Sequence, residues 1–304
     1  MNDLATFEAQ RTHLIGIAYR MLGEMSAAED VAQEAWLRWQ RADGEDIRDP
    51  RAWLSAVAVR LSLDALRKAR TRRETYVGPW LPEPILPDDV RALAADAPAA
   101  RAELASDLSL ALLHVLERLS PEERAALILH DAFDCDYSVI AHALEKSETA
   151  CRKLVSRARE RVKTDRPRHT VDQGQHQVLL QRFAAASASA NTAVLMKLFA
   201  PDVVLYSDGG GKAKAALNPI YGADKVTRFL AGVMSKFRPK NGFEMVLVEI
   251  NGMPGFVLQE DGALHSALTV EFDGETLSAL YFVRNPDKLE RINRLFSPGP
   301  SPSA

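Results

Sequence analysis

"DYSVIAHALEKSETACRKLVSRARERV", Asp136 to Val162, is the stretch on which the reading of the first half of the chain turns. A short helical period, Asp136–Leu144, stops at Glu145-Lys146-Ser147, and a longer one runs from Glu148 to Val162. By length and spacing this is a helix-turn-helix. The second helix of such a unit offers the side chains of its first two turns to a major groove. Here those are Thr149, Arg152, Lys153, Ser156 and Arg157, most of them on one face. Arginine can take guanine O6 and N7 with two hydrogen bonds, and lysine gives one point charge. Some of these groups serve only to hold phosphates. A basic, solvated helix face without a ligand is the alternative.

Upstream, "SPEER" from Ser120 has an N-cap serine, proline at the first helical position and acids behind it, a strong helix start. Leu108, Leu112, Val115, Leu116 and Leu119 form an apolar stripe before it, so residues 104–164 read as helical. Residues 7–41 read as two helices. Leu14, Ile17, Ala18, Met21 and Leu22 keep helical spacing up to Gly23, and Ser26 opens a capping box with Glu29. A third helix starts at Asp49-Pro50 and continues to about Arg73. Between the helical blocks, Gly78, Pro79, Pro82, Pro84, Pro87 and Pro98 break residues 76–100. No long helix or strand runs through such a stretch.

The chain changes character after Pro167. A helix over 175–199 leads into the strand-like "VVLY" and the triple glycine of "YSDGGGKAK", and a helix over 222–237 follows. Three β-type stretches come next, 243–250, 254–260 and 263–284, the last dividing into two strands. Asp261-Gly262 and Asp273-Gly274 are hairpin-turn dipeptides. This half reads as an α+β domain, and "SPGPSPSA" as a disordered tail.

Charge is distributed more tellingly than its total. Net charge is −3, which alone argues against a nucleic-acid binder. Yet Arg60, Arg67, Lys68, Arg70, Arg72 and Arg73 form one basic patch. Lys146, Arg152, Lys153, Arg157, Arg159, Arg161, Lys163, Arg166 and Arg168 form a second. Residues 82–107 between them carry Glu83, Asp88, Asp89, Asp96, Glu103 and Asp107 against Arg91 and Arg101. Two basic patches with an acidic spacer point to two contacts with a polyanion. The start of the chain lacks the pattern of a signal peptide, and no apolar run has the length of a membrane span. Cys135 and Cys151 have no metal-ligand spacing, and a reduced cytoplasmic compartment is the expectation. No metal and no cofactor is expected.

Three stretches in this order resemble an extracytoplasmic-function (ECF) sigma factor: "AYRMLGEMSAAEDVAQEAWLRW", "DPRAWLSAVAVRLSLDALR" and "LSPEERAALILHDAFDCDYSVIAHAL". The second half resembles a SnoaL-like domain, a cone-shaped α+β fold with a curved antiparallel sheet. "WLPEP", "DGGGK" and "NPDKL" are similar to the motifs of the sigma-J-like group that carries this extension, although the group shows Asp where this linker has Trp80. The resemblance implies two all-α sigma domains and a cone-shaped domain. Residues 1–75 would be region two, 76–103 a linker, 104–168 region four, 169–297 the SnoaL-like regulatory domain and 298–304 the tail. Region two would grip the RNA polymerase clamp and open the −10 element; region four would read the −35 element. Polymerase docking then falls to Asp30, Gln33, Glu34, Trp36, Leu37 and Arg38, with Trp36 and Leu37 as plain core residues the alternative. Contact with −10 DNA falls to Arg60, Asp64, Arg67 and Arg70, and base capture to the loop Arg41–Arg48. Surface ion pairing within that helix is the competing reading.

"DGGGK" fails as a phosphate loop. A P-loop needs G-x-x-x-x-G-K-[ST], whereas Ala213 follows Lys212 and no glycine lies five residues before Gly211. Three glycines permit positive φ and leave backbone bare for another segment to approach. We expect Asp208, Gly209, Gly210, Gly211 and Lys212 to dock the chain's own Trp80, Leu81, Pro82, Glu83 and Pro84, with Lys212 meeting Glu83 and the prolines packing on the glycines. Asn285, Pro286, Asp287, Lys288 and Leu289 would form a turn that completes the dock. A plain turn is the alternative. The partners expected are core polymerase, promoter DNA and the C-terminal domain in cis, without a membrane. Two rival functions are a sensor whose cone binds a small ligand, and a SnoaL-type enzyme using Tyr206, Asp208, His265 or Tyr281 fused to a DNA-binding module. Fold analogy alone does not establish catalysis.

Overall fold

A computed structural model describes residues 4–42, 47, 49–73, 75–93, 108–165, 171–189, 191–236, 243–260 and 263–296. The acidic stretch 94–107, most of the loop 43–48, Arg166, Arg168, the Asp261-Gly262 turn and the tail lie outside them. The chain divides into two units, one of Met1–Thr75, Asp88–Leu108 and Leu112–Arg166, the other of Tyr76–Pro87, Ser109–Ala111 and Pro167–Ala304.

The first unit is all-helical. Helices α1 (Leu4–Leu22), α2 (Met25–Arg41) and α3 (Pro50–Arg73) pack together, because each leaves a run of apolar side chains that only a neighbouring helix can cover. Leu14, Ile17, Ala18 and Met21 are fully buried there. Gly23, at φ 71°, turns the chain between α1 and α2. The expected capping box at Ser26 is not formed: α2 starts two residues earlier, at Met25, with Glu24 in the cap position and no side-chain cap bond. The physical reason is burial, since Met25 belongs to the core and draws the helix start back.

Helix α4 (Pro87–Leu93) lies within the proline-broken stretch, and α5 (Leu110–Leu116) follows the undescribed segment. Helix α6 (Pro121–Leu127) has the full capping box at Ser120 and Glu123 and runs into a π-helical turn, Ile128–Ala132. Helices α7 (Tyr137–Leu144) and α8 (Glu148–Asp165) make the helix-turn-helix. Glu145 ends α7 at φ 54°, and Ser147 Oγ accepts from the Ala150 N–H to start α8.

In the second unit the expected helix over 175–199 is two. Helix α9 (Gln173–Ala188) stops, Asn191 caps α10 (Thr192–Leu198) through its side chain, and Phe199 already belongs to a strand. Asn191 wins because its oxygen satisfies an end N–H that a continuous helix would leave to the backbone. Strands β1 (Phe199–Asp208), β2 (Ile220–Tyr221), β3 (Phe243–Ile250), β4 (Met253–Glu260), β5 (Ala263–Asp273) and β6 (Thr276–Val283) form one sheet, ordered β2-β1-β6-β5-β4-β3. Helix α11 (Ala223–Lys236) lies between β2 and β3, and helix α12 (Pro286–Phe296) follows β6. Most neighbours are antiparallel, but β1 and β6 run parallel, so the sheet is mixed. The long excursion between them supplies the crossover that a parallel pair requires.

Alternation along the strands gives the sheet two apolar faces. One packs Leu205, Phe256, Leu268, Val270, Phe272 and Leu280 against Leu179, Leu180, Phe183, Leu195, Val226 and Leu230 of α9, α10 and α11. The other presents Val257, Ala267, Ala279, Tyr281 and Val283, and is covered by Leu289 and Ile292 of α12 together with Leu81, Leu86 and Leu110 from the first half of the sequence.

Candidate linker dock and nucleic-acid interface

β1 delivers Asp208 to the end of the sheet, where its side chain is fully buried. A buried carboxylate must be paired and hydrogen-bonded, and three groups meet this need. Tyr76 Oη donates to Oδ1 at 2.6 Å, the Leu81 N–H to Oδ2 at 2.9 Å, and Lys288 Nζ to Oδ2 at 2.7 Å. Lys288 also donates to the Leu81 carbonyl and sits over the Trp80 ring at 4.0 Å and the Tyr76 ring at 5.2 Å. The Asn285 amide donates to Tyr76 Oη at 2.9 Å. Further on, Ile85 and Asn251 form a two-point clamp. The Ile85 N–H donates to Asn251 Oδ1 at 3.0 Å, and the Asn251 N–H donates to the Ile85 carbonyl at 2.8 Å. Residues 76–86 are thus held at both ends, while Leu81 and Leu86 complete the second face of the sheet.

Gly210 and Gly211 have φ of 57° and 73°. A Cβ on Gly210 would lie 2.9 Å from Tyr76 Oη and closer still to the Asn285 amide; one on Gly211 would press on Val77 at 3.3 Å. Tyr76 and Val77 therefore lie over the glycines, where the sequence placed Trp80 and the prolines. Lys212 does not serve as the dock's cation. It pairs with Asp287 at 2.5 Å with both side chains more than half exposed. Glu83 is buried, and a buried ion pair joins Lys288 to Asp208. Asn285-Pro286 opens helix α12 in place of the expected turn: Asn285 Oδ1 accepts from the Asp287 N–H, Pro286 is suited to a first helical position, and Leu289 packs inward. Tyr76 and Asn251 escaped the sequence reading. Asn251-Gly252, at φ 54° and 77°, is a hairpin dipeptide whose turn chemistry was legible; its grip on Ile85 was not.

On α8, Thr149, Arg152, Lys153 and Ser156 occupy the first two turns. Arg152 bonds Glu148 at 2.9 Å and lies 4.8 Å over the Tyr137 ring. Arg157 faces elsewhere: its Nε donates to Glu123 at 3.1 Å, and Arg161 joins it on the same carboxylate at 2.7 Å. Glu123, buried beside its own cap, has a pKa lowered by the Ser120 N–H and hydroxyl and by these two guanidinium groups against the opposing effect of burial. Arg157 ties α8 to α6.

On α3, Arg67 pairs with Asp64 at 3.2 Å, and the Arg70 side chain lies outside the described residues. On α2, Asp30 and Gln33 are exposed, and Arg38 pairs with Glu34. Leu37 is 37% exposed, and Trp36 is half-buried against Phe7, 4.9 Å between rings. Trp39, not Trp36, is the core tryptophan. Asp30, Gln33 and Trp36 line a groove of about 460 Å³ with Leu4, Phe7, Glu8 and Arg11 of α1.

Residues 6–72 match the Sigma-70 region 2 family model and residues 109–162 the Sigma-70 region 4 model. The chain is 40% identical to the ECF RNA polymerase sigma factor SigJ of Mycobacterium tuberculosis, covering 94% of this chain and 93% of that one. This protein belongs to the ECF RNA polymerase sigma factors. It is also 30% identical to the probable ECF RNA polymerase sigma factor SigI of the same organism, over 95% of both chains. The crystal structure of M. tuberculosis SigJ superposes with a TM-score of 0.76 at 36% identity, covering 95% of this chain and 98% of that one.

As a sigma factor it works with RNA polymerase core and promoter DNA. The region-two match takes in nearly all of helices α1–α3, and the region-four match nearly all of α5–α8. Of the four residues weighed for catalysis, Tyr206 and Tyr281 lie side by side, and Asp208 and His265 are each engaged with other partners. Asp208 is spent on the dock. Tyr206 and Tyr281 stack at 5.5 Å, their rings nearly parallel, on the linker-covered face. His265 accepts from Arg284 at 2.7 Å, and burial plus that guanidinium lower its pKa to about 4. Among the described residues no His, Cys, Asp and Glu cluster could hold a metal ion, and no helix is long and apolar enough to cross a membrane.

Proposed function

We propose that this sigma factor directs core polymerase to promoters under the control of its own C-terminal domain, which acts by gripping the linker between regions two and four. The observation that carries this reading is the buried Asp208–Lys288 pair, which holds Tyr76 and Leu81 of the linker to a domain more than a hundred residues later in sequence. Whatever fixes the linker governs how regions two and four reach two promoter elements. Region two contacts the clamp through Asp30, Gln33, Glu34, Trp36, Leu37 and Arg38, a half-buried aromatic among charges that suits an interface hot spot. It meets the −10 element through the α3 surface of Arg60, Asp64, Arg67 and Arg70. Region four reads the −35 element with Thr149, Arg152, Lys153 and Ser156, while Arg157 sets the angle of the helix. The protein works in the cytoplasm and carries out no chemistry of its own. The sensing alternative has less support, because the helix-covered face of the cone is packed with large apolar side chains. Run-off transcription with core polymerase, comparing the full chain with one ending at Pro167, tests the proposal. The full chain initiates at a defined promoter and the shortened chain does so at an altered level; equal activity would remove the C-terminal domain from regulation.

A further inference from the structure

Helix α8 is held along two flanks, and the two holds differ. Arg157 and Arg161 occupy one flank and both bond Glu123 of α6. Arg152 and Arg159, about two turns apart and so on one face, occupy the other. Thr149, Lys153 and Ser156 form the exposed strip between them.

The second flank is a chain of contacts that ends on Arg152. Arg159 makes a two-point bond with Asp131 of the π-helical turn, from Nε to Oδ2 at 3.0 Å and from Nη2 to Oδ1 at 2.5 Å. Burial alone would raise the Asp131 carboxyl; the hydrogen bonds from Arg159 and His130 bring its pKa below the ordinary value instead, so a fixed charge anchors this flank. His130 Nδ1 lies 2.8 Å from Asp131 Oδ1 and 3.1 Å from Arg159 Nη2. The His130 ring meets the Tyr137 ring at 4.8 Å, tilted by 43°. Tyr137, the first residue of α7, is half-buried. Its ring carries the Arg152 guanidinium at 4.8 Å, within the range at which an aromatic face attracts a cation. One turn back, Glu148 takes Arg152 Nη2 at 2.9 Å. Arg152 is therefore fixed at two points, ring and carboxylate, while its side chain stays 54% exposed. The bond to Glu148 uses one of the five N–H donors of a guanidinium, and the rest lie in one plane. That planar fork is what guanine O6 and N7 accept. A free arginine loses rotamer freedom when it grips a base, and one already held loses less.

We propose that Tyr137 is a positioning residue for promoter readout: braced by His130, Asp131 and Arg159, it holds Arg152 in one plane, so that Arg152 reads a base pair and does not merely hold a phosphate. This rests on the reading above that α8 meets the −35 element. In the test, holoenzyme assembled from the full chain and core polymerase selects sites from a random-sequence duplex DNA library. Binding is then measured on the selected site and on each of its single base-pair substitutions. Arg152→Ala is expected to cut the preference at one base pair of the −35 element about tenfold. Tyr137→Leu is expected to cut that same preference about threefold or more, at that base pair alone, with the salt dependence of binding unchanged because no phosphate contact is lost. Tyr137→Phe keeps the ring and keeps the preference. Asp131→Ala, which loosens the brace without touching Arg152, weakens the preference at the same base pair by about twofold, and it decides alone if Tyr137→Leu does not fold. A preference left intact by Tyr137→Leu and Asp131→Ala where Arg152→Ala erases it would overturn positioning and leave the −35 reading standing. An equal loss of affinity on every sequence in Tyr137→Leu, or loss of the preference in Tyr137→Phe, would overturn it as well. If Arg152→Ala erases no base preference, the assignment of Arg152 to −35 readout fails, and the proposal with it.

Discussion

Asp208 is the residue on which the C-terminal domain and the linker converge. Removing one member of a buried ion pair strands the other in low dielectric, at a cost of about 3–5 kcal/mol. Asp208→Ala is therefore expected to destabilise the C-terminal unit by that order in urea unfolding and to free Tyr76 and Leu81. Lys212→Ala, which breaks only the exposed pair with Asp287, is expected to cost less than about 1 kcal/mol. Equal losses would mean that the buried pair does not hold the dock. These two lysines also mark how far the sequence could be read. "DGGGK" and "NPDKL" each offer a cation, and a motif gives no sign of which one is buried. Strand parity puts Asp208 at the inward end of β1, and the helical turn after Asn285 brings Lys288 beneath it; neither follows from the motif alone. The glycines were legible in kind, because positive φ and close approach are properties of glycine itself, but the residues lying over them were not.

At the scale of elements, caps decided most disagreements. Ser120-Pro121 announced α6 correctly because cap, proline and acids agree, whereas Ser26 lost to burial of Met25. The break at Asn191 separated α9 from α10, and a proline-led helix was hidden in "NPDKL" because Asn-Pro also begins turns. Helix α9 carries a further consequence. His176 is buried edge-on to Phe272, its Nε2 without a hydrogen-bond partner among the described residues, and burial lowers its pKa from 6.5 to about 4, against a raising hydrogen bond with the Pro254 backbone. In that interval the unfolded chain binds a proton that the folded domain refuses. Stability is therefore full above pH 6.5, falls as pH drops, and stops falling on this account near 4, a total on the order of 3 kcal/mol. His13, lowered to about 4 chiefly by burial, adds the same sign in the helical unit. His176→Phe is expected to flatten the acid side of the unfolding profile of the C-terminal unit. A slope unchanged from the parent chain would assign the acid sensitivity to other groups.

For the whole molecule, the order of the helical blocks and the change at Pro167 were plain from periodicity, proline placement and charge. The allocation of the linker was not: residues 76–87 fold with the C-terminal domain, since Leu81 and Leu86 join the apolar cluster formed by its sheet and helix α12. A proline-rich stretch reads as a spacer in sequence, while here it completes a core. The most direct test is made on the full chain carrying Gly210→Val, which drives a side chain into Tyr76 and Asn285. Amide exchange at Leu81 and Ile85 is measured alongside run-off transcription with core polymerase. Faster exchange at both amides together with a changed transcript yield is the expected result. Faster exchange with a yield equal to that of the parent chain would show that releasing the linker leaves the sigma factor's activity untouched, and would contradict control through the linker.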